Sequence, residues 1–79
     1  MSILSTTCLL CTLPSGNKAV YAVQPQHLND RPNSTLNQRA IEYGEQIAVR
    51  LGDSWFKVGG REEITDLRTI ALLERCPDA

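Results

Sequence analysis

The chain has 79 residues, a hydrophobic fraction of 42% and a formal net charge of −1 at pH 7. This length predicts a single domain over residues 1–79 with a thin core, because a chain of this size buries only about 60% of the surface that its unfolded form exposes. The near-neutral charge argues against the basic field that attracts nucleic acid or an acidic membrane surface. No stretch approaches the ~18 apolar residues that a membrane-spanning helix needs, so we expect no membrane partner.

The compartment is predicted from the first residues and from the cysteines. Residues 1–5 carry no charged side chain, so they lack the basic region of a signal peptide. Cys8, Cys11 and Cys76 are an odd number of cysteines, which does not suit a full disulfide framework. We therefore expect a cytoplasmic protein whose thiols are reduced.

The first predicted element is a β-hairpin. Residues Ile3–Leu13 are rich in Thr, Leu and Ile, and residues 18–24 have high β-propensity. Between them lies Pro14-Ser15-Gly16-Asn17, in which proline presets φ while glycine and asparagine tolerate positive φ. The pattern predicts two antiparallel strands joined by a tight turn.

The first predicted strand carries no charge and has apolar side chains on both faces. Residues 1–29 contain one charged side chain, Lys18, whereas the other sixteen charges lie in residues 30–79. Charges on an edge strand normally discourage pairing with another chain. The strand is therefore either central and covered on both faces, or it pairs with a second copy or another protein. A homodimer through the uncharged N-terminal hairpin is one option.

A turn-rich stretch separates this hairpin from the next element. Residues 24–33 contain two prolines and three Asn or Asp residues, which predicts a loop. We expect His27 within it to be solvated, because no nearby residue would orient it as a general base.

A helix is predicted after the loop. Thr35 and Gln38 have the spacing of a capping box, in which two side chains satisfy free backbone N–H groups at the helix start. Apolar residues then recur at spacings of four and three, which places them on one side of a helix. They are Leu36, Ala40, Tyr43, Ile47 and Leu51.

The end of this helix has two interpretations. In the favoured one the helix continues to Leu51, and Gly52 follows as a left-handed cap residue. In the other, the helix ends near Gly44, which is unfavourable in a helix interior, and Ile47–Leu51 forms a strand.

The last third predicts a second hairpin and a helix. A strand over Ser54–Val58, a turn at Gly59-Gly60 and a returning strand over Arg61–Ile64 form the hairpin. Thr65 or Asp66 then caps the helix.

Within that last helix, Leu67, Ile70 and Leu73/Glu74 mark successive turns, although a strand over Arg68–Leu73 stays open as an alternative. The whole chain is thus predicted to be α+β, a β-hairpin–helix–β-hairpin–helix domain with a mostly antiparallel sheet.

Few residues could carry chemistry. The only Cys and His residues are Cys8, Cys11, His27 and Cys76, and the only pair with recognisable spacing is Cys8-x-x-Cys11. A zinc site needs four ligands, and residues three apart on a strand point to opposite faces. We favour cysteines in the core, and we expect no metal, no cofactor and no catalytic activity. A zinc-stabilised module is the second alternative.

The stretch from Trp55 to Arg61 interleaves aromatic and basic residues. Such a strand surface can stack on nucleic-acid bases, and alternation puts Trp55 and Lys57 on one face. Glu62 and Glu63 follow immediately and would repel phosphates. A small nucleic-acid-binding domain using Trp55, Lys57 and Arg61 is therefore the first alternative, less favoured because the chain lacks a basic footprint.

The favoured function is a non-catalytic protein–protein interaction module whose partner is another protein or protein complex. Phage and mobile-element inhibitors of host machinery, including anti-CRISPR proteins, are comparable in size and character only. Trp and Arg are the residue types most often found as binding hot spots. The predicted partner contacts are Trp55, Lys57, Arg61 and Arg68, with Arg75 on the same side of the last helix as Arg68.

Overall fold

The structure is a computed structural model, and it describes residues 7–28, 34–59 and 61–79. Within these ranges the chain forms five strands and three helices. In chain order they are β1 (Thr7–Thr12), β2 (Lys18–Val23), α1 (Pro25–Leu28), α2 (Leu36–Tyr43), β3 (Glu45–Leu51), β4 (Ser54–Lys57), β5 (Glu63–Ile64) and α3 (Leu67–Glu74). The strands form one antiparallel sheet in the order β1-β2-β3-β4-β5, so each strand pairs with its neighbour in sequence. The predicted α+β class is confirmed.

A helix packs on each face of the sheet, which divides the apolar core into two clusters. Side chains alternate along β2, so Tyr21 lies on the α2 face and Val20 on the α3 face. The buried members of the cluster under α2 are Leu9, Cys11, Ala19, Tyr21, Val23 and Ala40. The buried members of the cluster under α3 are Val20, Ala48, Trp55, Leu73 and Cys76.

The first predicted hairpin is present. Gly16 has a φ of +94°, which suits the glycine of a tight turn. The Leu13 N–H donates to the Asn17 carbonyl (2.8 Å) and closes the turn between β1 and β2. Residues 3–6 of the predicted first strand lie outside the described residues.

β1 lies at an edge of the sheet, so of the two options for this strand the central position is wrong. The strand is nevertheless covered on both faces. Leu9 and Cys11 are buried on the α2 face, while Cys8 and Leu10 pack against the cluster on the α3 face. Pairing with a second copy stays a prediction.

The outward backbone groups of β1 are bonded within the chain at two positions. The Thr12 N–H donates to Asn37 Oδ1 (2.8 Å), and Asn37 Nδ2 donates to the Thr12 carbonyl (2.9 Å). The Leu10 N–H donates to the Pro77 carbonyl (2.8 Å), and the Ala79 N–H donates to the Leu10 carbonyl (3.0 Å). A side-chain amide and a short parallel segment therefore shield an edge that has no charged residue to protect it.

The capping box at the start of α2 is confirmed. The Gln38 N–H donates to Thr35 Oγ1 (3.1 Å), and the Thr35 N–H donates to Gln38 Oε1 (2.9 Å). The two side chains thus satisfy each other's backbone donors, as the spacing predicted.

The continuation of this helix to Leu51 is wrong, and the alternative interpretation is correct. The helix ends at Tyr43, and Glu45–Leu51 forms β3 between β2 and β4. Gly44 sits at the junction, where a Cβ would lie 2.4 Å from the Ala40 carbonyl oxygen, so only glycine allows this close turn. Gly52, with a φ of +64°, begins the β3–β4 turn instead of capping a helix.

The predicted loop contains the short helix α1. Its first residue is Pro25, whose fixed φ suits the first helical position. Arg39 Nη1 donates to the carbonyls of His27 and Leu28 (both 3.1 Å) and so satisfies the end of α1. His27 is half-buried with its ring stacked 4.9 Å from that of Tyr43, so the expected solvated loop histidine is wrong. Residues 29–33 lie outside the described residues.

A disulfide joins Cys8 in β1 to Cys76 just after α3, with their Cα atoms 5.5 Å apart. The expectation that these two thiols are reduced is therefore wrong for this structure. Cys11 is free and buried in the opposite face of the strand, so Cys8 and Cys11 do not converge as ligands of one ion. The cytoplasmic location stays a prediction.

Asp66 caps α3, as one of the two predicted candidates. Its Oδ2 accepts hydrogen bonds from the Thr69 hydroxyl (2.6 Å) and the Thr69 N–H (3.1 Å). The side-chain bond from Thr69, followed by the backbone bond, lowers the pKa of Asp66. The strand alternative for Arg68–Leu73 is wrong, because this cap opens a helix.

This cap predicts a pH-dependent contribution to stability. The pKa of Asp66 is lower in the folded than in the unfolded state. The cap therefore stabilises the fold fully at pH values above the ordinary pKa of an aspartate side chain. This stabilisation is lost as pH falls through the folded-state pKa. Asp66→Asn keeps a capping oxygen but does not titrate. In thermal melts from neutral pH to about pH 2, the wild type should melt above the variant at neutral pH and lose that advantage in acid. If the melting temperatures of the wild type and the variant differed by the same amount at every pH, the proposed role of the Asp66 carboxylate would be contradicted.

Candidate interaction surface

Trp55 is a core residue. It lies in β4 between Arg50 of β3 and Ile64 of β5, and it is 2% exposed. Its indole Nε1 donates to Glu74 Oε2 of α3 (3.3 Å), so the ring is held under the helix. The prediction that Trp55 contacts a partner directly is corrected, because the covering helix leaves no face of the ring accessible.

Lys57 and Arg61 are exposed, as a contact role requires. Lys57 Nζ pairs with Glu62 Oε2 at 3.1 Å, and the Lys57 N–H donates to the Glu62 carbonyl (2.8 Å). An ion pair between exposed side chains contributes little to stability, so this lysine can exchange its partner at low cost. Arg61 has no side-chain hydrogen bond or ion pair to any described residue.

The two most exposed large hydrophobic residues of the described chain lie on α3. Leu67 is 80% exposed and Leu72 is 63% exposed. Arg68, Leu72 and Arg75 follow at i, i+4 and i+7, which puts them on one side of a helix, and Leu67 and Ala71 form the adjoining row. All five residues are exposed. We call this surface the α3 outer face.

The α3 outer face carries two positive charges that are free of ion pairs with described residues. No hydrogen bond or salt bridge in the described part of the chain involves the guanidinium of Arg68 or Arg75. Glu74 lies beside this face, but its carboxylate is engaged with the indole of Trp55. The surface therefore presents unneutralised cations next to exposed leucine side chains.

An acidic groove of about 450 Å³ lies beside the N-terminus of α3. Its charged lining is Glu62, Glu63 and Asp66 with Lys57, and Ile47 contributes an apolar wall. A positive face and a negative groove on neighbouring surfaces would orient an approaching charged partner.

Two further findings concern the described residues 7–28, 34–59 and 61–79. They contain no group of three or more His, Cys, Asp or Glu side chains placed to hold a metal ion. No helix among them is long and apolar enough to cross a bilayer.

Comparisons of the chain with protein-family models, with curated proteins and with solved structures find no match.

The sequence identified part of this surface and missed the rest. Arg68 and Arg75 were expected on one side of the last helix, and they are. Leu67 was expected only to mark a turn of this helix, and its 80% exposure was not predicted; Leu72 was not singled out. The sequence spacing could have identified Leu72 as part of this surface. It lies four residues after Arg68 and three before Arg75, which places all three on one side of a helix.

Proposed function

We propose that this chain is a non-catalytic interaction module that binds another protein through the α3 outer face. The observation that supports this most is the composition of that face. Leu67 and Leu72 are exposed beside Arg68 and Arg75, while the opposite side of the same helix packs on the core through Leu73. A helix used only to cover a core would be polar on its outer side.

The chemistry of this face indicates the chemistry of the partner. Arginine and an aliphatic side chain together suit a surface with carboxylates around an apolar pocket. Arg61 and Lys57 are further cations on the adjacent hairpin that could contact the same partner. Covering a surface that the partner needs would inhibit it, and we propose inhibition as the consequence of binding.

The burial of Trp55 weighs against the nucleic-acid alternative. Stacking on bases needs an exposed aromatic face, and this indole is covered by α3. The exposed cations that remain are accompanied by Glu62 and Glu63 on the same hairpin.

The test compares two charge reversals of equal size. Arg68→Glu/Arg75→Glu inverts the α3 outer face, and Lys18→Glu/Arg50→Glu is the control, because Lys18 and Arg50 are cross-strand neighbours between β2 and β3. In both double variants two positive side chains are replaced by two negative ones, so the net charge of the protein changes by the same amount. We expect the α3 variant to bind the partner at least about tenfold more weakly, with an unchanged melting temperature, and the control to bind normally.

The partner is first recovered with tagged wild-type protein from nuclease-treated lysate and is then purified for titration calorimetry. Equal binding by the two variants would contradict the proposed surface. Recovery of nucleic acid alone, from lysate without nuclease, would favour the nucleic-acid alternative instead.

A further inference from the structure

The outer edge of β1 is closed by a short segment that follows the disulfide. Residues 77–79 run parallel to β1 and pair with it at Leu10. Two backbone hydrogen bonds hold them there, from the Leu10 N–H to the Pro77 carbonyl and from the Ala79 N–H to the Leu10 carbonyl. Pro77 and Asp78 are exposed, so of these three residues Ala79 alone packs against the core, and its side chain is a single methyl group. Such a short segment needs a tether to stay in place.

The disulfide supplies that tether. Cys76 directly precedes the segment, and Cys8 lies two residues before Leu10 in β1. A covalent link at this position fixes the start of the segment beside β1 and so raises the effective concentration of residues 77–79 at that edge. Without the link, two hydrogen bonds on an exposed edge compete with water and with any other strand.

The outer edge of β1, which this segment covers, can form backbone hydrogen bonds with the same edge of a second copy. In an antiparallel pair of two β1 strands with Leu9 opposite Leu9, Cys8 of one copy lies opposite Leu10 of the other. The outward N–H and carbonyl groups of these residues then exchange hydrogen bonds across a two-fold axis. β1 contains only Thr, Cys and Leu, so no charge opposes this pairing.

We propose that the edge of β1 is a pairing site for a second copy of this chain, closed by residues 77–79 while the Cys8–Cys76 disulfide is intact and opened when it is reduced. A dithiol reductant transfers two electrons and two protons to the disulfide. The products are the thiols of Cys8 and Cys76 and the disulfide of the reductant. This site is separate from the α3 outer face, and neither proposal depends on the other.

Cys11 takes no part in the reduction or re-formation of the Cys8–Cys76 disulfide. It lies in the α2-side cluster, on the opposite face of β1 from Cys8. Burial raises the pKa of its thiol, which keeps it protonated and unreactive. The redox change is therefore confined to Cys8 and Cys76.

The first test measures mass by sedimentation over a range of concentrations. Oxidised wild type should remain at 8.8 kDa, and Cys8→Ser/Cys76→Ser, which cannot form intermolecular disulfides at these positions, should reach twice that mass. The control Cys8→Pro/Cys76→Ser removes the outward N–H of residue 8, which proline does without loss of pairing to β2 at a sheet edge, and should stay monomeric.

A second variant keeps the proposal testable if the serine variant unfolds. A chain ending at Cys76 retains the disulfide but lacks the covering segment, so it should dimerise without reductant. Amide exchange at Leu10 then identifies the surface, because this N–H should be protected in the dimer and exposed in the dilute monomer.

A folded truncated chain that stays monomeric would overturn the proposal. So would a dimer in which the Leu10 amide exchanges freely, because such a dimer would use another surface.

Discussion

Replacing Cys8 and Cys76 together by serine is expected to lower the free energy of unfolding by about 4 kcal/mol. The two cysteines are 68 residues apart in sequence, so the disulfide closes a loop that contains nearly all of the described chain. Closing so long a loop removes much conformational entropy from the unfolded state. Urea denaturation of the oxidised wild type and the double variant measures the difference.

The control for this prediction is the wild type in excess dithiol reductant. Because reduction and substitution remove the same covalent link, the reduced wild type and the double variant should unfold at similar urea concentrations. A loss below about 1 kcal/mol would show that the link constrains the unfolded chain far less than its length implies. Alkylation of native protein before any reduction gives an independent check, since Cys8 and Cys76 should take up no label.

The predicted cytoplasmic location and the disulfide imply opposite redox states for Cys8 and Cys76. A cytoplasmic protein keeps its thiols reduced, whereas the structure joins Cys8 to Cys76. Trapping thiols in intact cells by rapid alkylation would show which form predominates there.

Trp55→Ala is expected to cost about 3–5 kcal/mol of folding free energy, the usual range for removing a large aromatic side chain from a core. Trp55 is 2% exposed and packs in the cluster with Val20, Ala48 and Leu73. The substitution also leaves Glu74 without the indole donor at 3.3 Å. Denaturant unfolding of the oxidised protein measures the loss.

Two matched variants separate burial from surface effects. Trp55→Phe retains much of the ring and should cost clearly less than the alanine variant. Leu72→Ala removes an exposed side chain and should change stability by no more than about 0.5 kcal/mol. If Trp55→Ala leaves the stability unchanged, the indole does not form the core under α3.

The local elements were predictable because their signals are local. Gly16 and its neighbours specify the first turn, and the reciprocal bonds of Thr35 and Gln38 begin α2 without help from distant residues. Asp66 likewise caps α3 through Thr69, three residues away. In each case the interacting residues are only a few positions apart in the sequence.

The segment Glu45–Leu51 could not be assigned from its own residues. Its apolar residues have helical spacing, but β2 and β4 pair with it on both sides. The backbone bonds of two neighbouring strands outweigh a weak local preference. Gly44 was the one local sign, and its importance depends on the carbonyls of Ala22 and Ala40, which the sequence does not place near it.

The candidate surface was only partly predictable for a similar reason. Alternation correctly separated Trp55 from Phe56, but it could not say which face α3 would cover. The pairing of Cys8 with Cys76 depends on β1 and the end of α3 meeting on one side of the sheet. That meeting is a property of the whole fold.

The order of the strands has a consequence for synthesis on the ribosome. Every strand pairs with its neighbour in sequence, so the sheet can grow as the chain emerges. Cys76 and residues 77–79, which close the β1 edge, are translated after all the other described residues. Until these residues emerge, the uncharged edge of β1 is uncovered at Leu10, and such an edge is the kind of surface that chaperones shield and neighbouring nascent chains can capture.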